Sequence, residues 1–225
     1  MEPTSNVQKR STSRQWVPIR PLSERHRALI LTHLLGLNDH DRYLRFGYPA
    51  SDDRIQAHVA SLDLDHDDLF GIFNRRLQLV AIAYLAYSEL AGAQHGIRRM
   101  AEFAVSVDHR ARGRGYGNRL FAYAVRHARN RGVDRLFIHA LSENTAMLRI
   151  ARKAGATMHR EGGESEGWLQ LPPDSLHSRA EELLANGVAE LNYAAKLQTH
   201  RLHHTWVLTR HVLQRWLRPA GLPPR

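Results

Sequence analysis

The chain has 225 residues, of which 43% are hydrophobic, so it can bury one sizeable core but is short for two full domains. It contains no cysteine, which excludes disulfides, thiolate metal sites and thiol nucleophiles. The formal net charge of +10 favours a polyanionic partner such as nucleic acid, an anionic membrane or a phosphorylated cofactor. The longest apolar run, LVAIAYLAY, is too short to span a bilayer, and we expect a cytoplasmic protein.

The first part of the chain predicts a tail, a strand and two helices. Residues 1–15 are polar, basic and without hydrophobic periodicity, which predicts a disordered tail. The domain is predicted to begin at Trp16, with a strand over residues 16–22. Two helices follow, one opened by Ser23 and one by Ser51, because serine is a favoured N-cap residue.

The middle of the chain predicts a hairpin, a further strand and a helix. Residues 69–74 and 77–87 read as antiparallel strands joined through Asn74, Arg75 and Arg76. Residues 100–107 read as another strand. From residue 115 to residue 130 the apolar positions recur at helical spacing, and a glycine then ends the run.

The next strand completes a β-α-β unit. Residues 134–141 read as a strand, so the helix before it connects two parallel strands by a right-handed crossover. A helix over residues 143–155 follows. The domain is predicted to close at residue 171 with strands over 156–161 and 167–171, around a loop at 162–166.

Residues 172–225 predict a helical extension after the domain. Their apolar residues lie close to one helical stripe, which favours packing on the domain or on a second subunit in a homodimer. Binding to a membrane surface through Trp206, Trp216 and the arginines is the second interpretation. His200, His203 and His204 have no acidic residue nearby, and we expect no metal site there.

Two further features concern ion binding. The acidic segment from Asp63 to Asp68 lacks the glycine and the closing glutamate of a calcium loop, and we expect a solvated acidic loop, with a site that attracts a cationic acceptor as the alternative. The turn over residues 107–120 places three glycines, together with Arg110, Arg112 and Arg114, between a strand and a helix N-terminus, where free backbone N–H groups favour a phosphate. Its spacing fits neither the P-loop nor the dinucleotide fingerprint.

What this turn matches is R-x-x-G-x-G, filled by Arg112, Gly115 and Gly117, although Arg110, Gly113 and Gly115 also fit. One strand later, ENTAMLRIARKAGA matches a second signature at Asn144, Leu148, Ile150, Lys153 and Gly155. With these two motifs, the chain resembles the GNAT superfamily of acyl-CoA-dependent N-acyltransferases. DRYLRFG, AEFAV and the methionine of NTAML look most like the catalytic domain of bacterial protein lysine acetyltransferases.

The resemblance implies an α/β fold with a mixed, mostly antiparallel sheet flanked by helices, and acetyl-CoA as the acyl donor. It implies that backbone amides of the glycine turn hold the pyrophosphate and that the pantetheine arm pairs along the strand before the turn. Asn144 would contact that arm near the thioester, or serve only as the N-cap of its helix. The implied donor-binding residues are Phe103, Ala104, Val105, Val107, Arg112, Gly113, Arg114, Gly115, Tyr116, Gly117, Asn118 and Asn144.

The implied reaction is acetyl transfer to a primary amine, on a protein lysine or a small molecule, by direct attack. Glu102 is the candidate general base; a salt bridge to Arg98 or Arg99 is the alternative. Ala151 stands where the family most often has an acidic tyrosine, so water or another hydroxyl would protonate the leaving thiolate. A non-catalytic acyl-CoA-binding regulatory module and a nucleic-acid-binding protein remain as alternatives.

Overall fold

The structure is a computed structural model that describes residues 17–92 and 96–172. The predicted tail, the start of the domain at Trp16 and the C-terminal extension lie outside these residues. So do the histidines and tryptophans predicted to lie in that extension.

Seven strands form one sheet in the order β1-β2-β3-β4-β5-β7-β6. All neighbouring strands are antiparallel except β4 and β5, which are parallel as the β-α-β pattern predicted. The mixed, mostly antiparallel sheet is therefore confirmed. The strands are β1 (Ile19–Leu22), β2 (Asp68–Phe73), β3 (Leu79–Gly92), β4 (Gly96–Val107), β5 (Arg135–Leu141), β6 (Thr157–Glu161) and β7 (Glu164–Gln170).

Five α-helices flank the sheet, and capping residues mark where several of them begin. Ser51 accepts a hydrogen bond from the Arg54 amide (3.4 Å), as its predicted N-cap role requires. Ser23 instead opens a 3-10 turn, Glu24–His26, which leads into the first helix. The helices are α1 (Arg27–Leu35), α2 (Asp39–Phe46), α3 (Asp52–Ala60), α4 (Tyr116–Asn130) and α5 (Thr145–Lys153).

Several elements differ from the prediction. Helix α2 was not predicted as an element, although Asn38 caps its start by accepting from the Asp41 amide (2.9 Å). Strands β3 and β4 are also longer than predicted. The predicted loop over 162–166 is wrong beyond Gly163, because side chains alternate between buried and exposed from Glu164 onward, as in a strand.

The sheet buries a core on each face. On one face, α4 and α5 cover Phe70, Phe103 and Leu136, and Phe103 meets Phe121 edge to face with ring centres 4.9 Å apart. On the other face, α1 and α3 pack their apolar sides over Leu69 and Ile82. The central strand β4 therefore presents alternate side chains to two different layers of helices.

The acidic segment over residues 63–68 is a solvated loop only in its first part, because Asp63 and Asp65 are exposed whereas Asp67 and Asp68 are half-buried. Asp67 accepts hydrogen bonds from the Tyr84 hydroxyl and from the Tyr87 amide, the latter at 3.0 Å. Asp68 accepts from three side chains, one on β3 and two at the C-terminal end of α4, where Arg131 is the C-cap: Tyr87 at 2.6 Å, His127 at 2.8 Å and Arg131 at 2.6 Å. Although burial alone would raise the pKa of Asp68, these hydrogen bonds and charges lower it to about 2.

Candidate functional site: a cleft at the diverging strands

Strands β4 and β5 separate after a short parallel stretch. Their pairing ends at Phe103 and Ile138, although both strands continue. Antiparallel pairing with β3 continues to Val107, and the Asp108 amide donates to the Val80 carbonyl at 2.9 Å. Because hydrogen-bonded pairs alternate along such a ladder, the N–H and C=O groups of Val105 and Val107 face the gap instead.

The glycine turn lies at the open end of this gap. Gly113 and Gly115 have φ angles of +73° and +74°, in the left-handed region that favours glycine. The first backbone hydrogen bond of α4 runs from the Arg119 amide to the Gly115 carbonyl (3.1 Å), so the amides over 116–118 have no acceptor within the helix. A Cβ atom at Gly113 or Gly115 would meet no atom within 4 Å, so an anion has room to approach the backbone.

The gap and the turn together form a cleft of about 460 Å³, within the usual size of ligand sites. Phe103, Ala104 and Arg114 do not line it. Phe103 lies in the core, 1% exposed, and Arg114 lines a separate cavity of about 360 Å³ beneath α1. The predicted residues that do line the cleft are Val105, Val107, Arg112, Gly113, Gly115, Tyr116, Gly117, Asn118 and Asn144.

Two of the lining side chains already have partners. Arg112 forms an ion pair with Asp41 of α2, whose side chain is only 3% exposed. Asn144 accepts a hydrogen bond from the Met147 amide (3.1 Å), so it caps α5 while also lining the cleft. The second oxygen of Asp41 has no hydrogen-bond partner among the described residues. Arg112 therefore ties α2 to the glycine turn in this structure.

Glu102 lies outside the cleft wall. It is exposed on the β4 face shared by Ala104 and Ser106, three residues before Val105, where the wall begins. Arg99 lies on the opposite face of the strand, since side chains alternate, and its guanidinium contacts the Arg131 carbonyl (3.4 Å). Arg98 belongs to the part of β4 whose side chains are not described.

A buried serine and histidine form a pair that sequence reasoning missed. His33 of α1 contacts the Leu79 carbonyl through Nδ1 (3.0 Å) and Ser106 Oγ through Nε2 (2.8 Å). A carbonyl oxygen can only accept, so Nδ1 carries the hydrogen in the neutral ring, and the Ser106 hydroxyl donates to Nε2. Burial lowers the pKa of His33, which favours that neutral form. Ser106 also lines the cleft.

Helix α5 contributes apolar atoms to the cleft but no hydroxyl. Ala151 is fully buried in the core, and the lining side chains of α5 include Ala146, Met147 and Ile150. Among residues 17–92 and 96–172, no three histidine or acidic side chains gather as metal ligands would. Over the same ranges, no helix has the length and apolar character needed to cross a membrane.

Comparison with known proteins places these features in a family. Residues 37–156 match the model of the acetyltransferase (GNAT) family. No curated protein sequence matches the chain.

Solved structures are similar in fold. The GNAT domain of Streptomyces lividans PAT superposes with a TM-score of 0.55 at 21% identity, covering 68% of this chain and 89% of that one. Spermidine N-acetyltransferase from Vibrio cholerae, solved with CoA and spermine, has a TM-score of 0.52 at 15% identity, with coverage of 69% and 95%. The ribosomal L7/L12 alpha-N-protein acetyltransferase RimL, solved with CoA, gives 0.52 at 17% identity, with coverage of 69% and 94%.

Proposed function

Since the chain belongs to the acetyltransferase (GNAT) family, we propose that it transfers acetyl from acetyl-CoA to a primary amine by direct attack. The acceptor is a protein lysine or a small amine. The observation that carries this proposal is the cleft itself, in which an anion-binding turn adjoins a strand edge with unpaired backbone groups. A donor with a pyrophosphate and an amide-bearing arm needs both of these features.

Acetyl-CoA is the donor used by this family, and the cleft residues fit it. The amides over 113–118 and the Arg112 guanidinium would hold the pyrophosphate at the N-terminus of α4. The backbone groups of Val105 and Val107 would pair with the amides of the pantetheine arm. The thioester would then lie beside the Val105 N–H, which can donate to its carbonyl oxygen and stabilise the charge that develops there.

The acceptor would approach from the β4 face that carries Glu102 and Ser106. An ammonium must lose a proton before it can attack, and Glu102 would accept that proton through water, because it lies outside the cleft wall. The amine nitrogen then bonds to the thioester carbon while the carbon–sulfur bond breaks. The nitrogen releases one further proton, and the sulfur gains one.

Ser106 and His33 would carry that second proton. The Ser106 hydroxyl takes the proton from the reacting nitrogen while passing its own to His33 Nε2, which is an acceptor in the neutral ring. The reverse transfer then delivers a proton from Ser106 to the thiolate. Because Ser106 and His33 deliver to the sulfur the proton that they took from the nitrogen, the leaving thiolate is protonated without a tyrosine on α5.

Release of free thiol from acetyl-CoA tests the function directly. Wild-type protein is mixed with acetyl-CoA and a panel of primary amines, and acetylated products are identified by mass spectrometry. We expect thiol to be released only when an amine is present, and in an amount equal to that of the acetylated amine. Thiol release that is the same without an amine, or none at all, would contradict the proposal.

The buried Ala151 favours a second candidate, a non-catalytic acyl-CoA-binding regulatory module. Such a module needs the same glycine turn but no proton transfer. It predicts tight binding of acetyl-CoA without product for any acceptor. Calorimetric titration of acetyl-CoA, performed alongside the thiol assay, separates the two functions.

A further inference from the structure

Helix α2 places beside the cleft an arginine that has no hydrogen bond or ion pair among the described residues. Arg45 lies in the last turn of α2 and lines both the cleft and a small adjoining cavity. Apolar side chains form most of the wall of this small adjoining cavity. The Arg45 guanidinium lies 5.2 Å from the centre of the Phe46 ring, and it has neither a hydrogen bond nor an ion pair among the described residues.

The other arginine of the same helix is fully partnered by contrast. Arg42 donates hydrogen bonds to the carbonyls of Leu35 (2.8 Å), Leu37 (3.0 Å) and Ala50 (3.2 Å), and it pairs with Asp52 at 2.7 Å. Arg42 therefore has a structural role that accounts for its position. Arg45 has no such role.

Arg45 occupies an environment that penalises a charge. Burial lowers the pKa of Arg45, while Glu102 and Tyr84 oppose that effect. The Arg45 side chain is half-buried, and no carbonyl or carboxylate of the described residues accepts a hydrogen bond from it, so an anionic group of a bound molecule would find a free donor there.

The position of Arg45 indicates which bound molecule supplies the anion. The pyrophosphate of the donor already has the amides of the glycine turn and Arg112. Arg45 instead lies over the β4 face of Ala104 and Ser106, which also carries Glu102. An ammonium that approached Glu102 alone would be repelled by Arg45, whereas an acceptor with its own anionic group would be attracted to both charges.

We propose that the acceptor is an amine that carries a carboxylate, with Arg45 binding the carboxylate while the amine faces Glu102. This inference rests on the proposed acetyltransferase function and narrows its substrate class. Arg45 is thus a residue that determines acceptor specificity.

Matched acceptors and matched variants test this assignment. Thiol release is measured with ω-amino acids of increasing chain length and with alkylamines of the same lengths. The proteins are wild type, Arg45→Gln, Arg45→Lys and the control Arg54→Gln, which removes a charge from an exposed position on α3. We expect wild type and Arg54→Gln to prefer an ω-amino acid in kcat/KM, and Arg45→Gln to lose about 10- to 100-fold on that acceptor alone.

Three results would overturn the inference. They are equal kcat/KM for ω-amino acids and alkylamines in wild type, an equal loss on both acceptor classes in Arg45→Gln, and a weaker Kd for acetyl-CoA in Arg45→Gln. The last would assign Arg45 to the donor.

Failure of the underlying function looks different, because wild type would then release no thiol with any amine. Simple alkyl carboxylates should also inhibit wild type more strongly than Arg45→Gln, and equal inhibition would count against the proposal.

Discussion

Glu102 is the residue on which proton removal from the acceptor depends in the proposed reaction. We predict that Glu102→Gln lowers kcat about 100-fold while leaving the Kd of acetyl-CoA unchanged, because the amide cannot accept the ammonium proton. The control Glu161→Gln changes an exposed glutamate on β6 and should retain wild-type kcat. Wild-type kcat in Glu102→Gln, with the chemical step shown to be rate-limiting, would place the base elsewhere.

Ser106 is the hydroxyl proposed to serve the leaving thiolate. Ser106→Ala should lower kcat by about 10- to 100-fold, with a smaller loss for thioester donors whose thiols are more acidic, since those leave without a proton. Ser165→Ala is a matched control, because Ser165 is also buried and hydrogen-bonded, to Ser142 at 2.9 Å, but lies on β7. A loss in Ser106→Ala that did not depend on the donor thiol would indicate a purely structural serine.

At the residue scale, the sequence predicts local features better than distant pairs. The glycines of the turn follow from spacing alone, since their conformation is set by neighbouring residues. The pairs Ser106–His33 and Arg112–Asp41 join residues 73 and 71 positions apart in the chain, which no local pattern encodes. Arg45 was missed for a related reason, because the absence of a partner is visible only in three dimensions.

At the scale of elements, Asp68 connects β2 to β3 and to α4. Its pKa is depressed to about 2 from 3.8. The ionised carboxylate therefore stabilises the folded state above pH 3.8, and this stabilisation is lost as the pH falls towards 2. The shift corresponds to about 2 kcal/mol. We predict that Asp68→Asn lowers the free energy of unfolding most near pH 6, and that the difference in this free energy from wild type narrows by about 1 kcal/mol, roughly half of that amount, on acidification to pH 3.

Urea unfolding between pH 3 and pH 6 measures this difference. Asp65→Asn is the control, because Asp65 is exposed and close to Asp68 in the chain. The difference in free energy of unfolding between Asp65→Asn and wild type should stay nearly constant with pH. A constant difference for Asp68→Asn as well would show that the ionised carboxylate does not hold these elements together.

Helix α2 shows which elements the sequence predicts poorly. The end of helix α4 at Asn130 agrees with the prediction, because its apolar residues recur on one face, which the sheet buries. Helix α2 has few apolar residues, and only its caps signalled it: Asn38 at the start and Gly47, with φ +79°, at the end. Since α2 carries Arg45 and Asp41, the proposed acceptor-binding residue and the partner of Arg112 were missed along with it.

At the scale of the whole molecule, the predicted C-terminal extension remains a prediction from the sequence. If its apolar stripe packs on the domain or on a second subunit, removing residues 173–225 should expose that contact and cause aggregation or a changed oligomeric state. Light scattering and the melting temperature measure both effects. A truncated protein that keeps the oligomeric state of the full chain by light scattering, and whose Tm is unchanged, would contradict the packing prediction.

Calorimetric titration of acetyl-CoA into two glycine variants tests most directly whether the cleft holds the donor. Gly115 and Gly162 both have positive φ angles and open space at Cβ, but only Gly115 lies in the cleft. Gly115→Glu places a negative charge where the pyrophosphate would bind, and we predict a Kd at least about 100-fold weaker. Gly162→Glu carries comparable backbone strain and should bind like wild type. A folded Gly115→Glu protein with wild-type affinity, or an equal loss in both variants, would contradict the assignment of this cleft to acetyl-CoA.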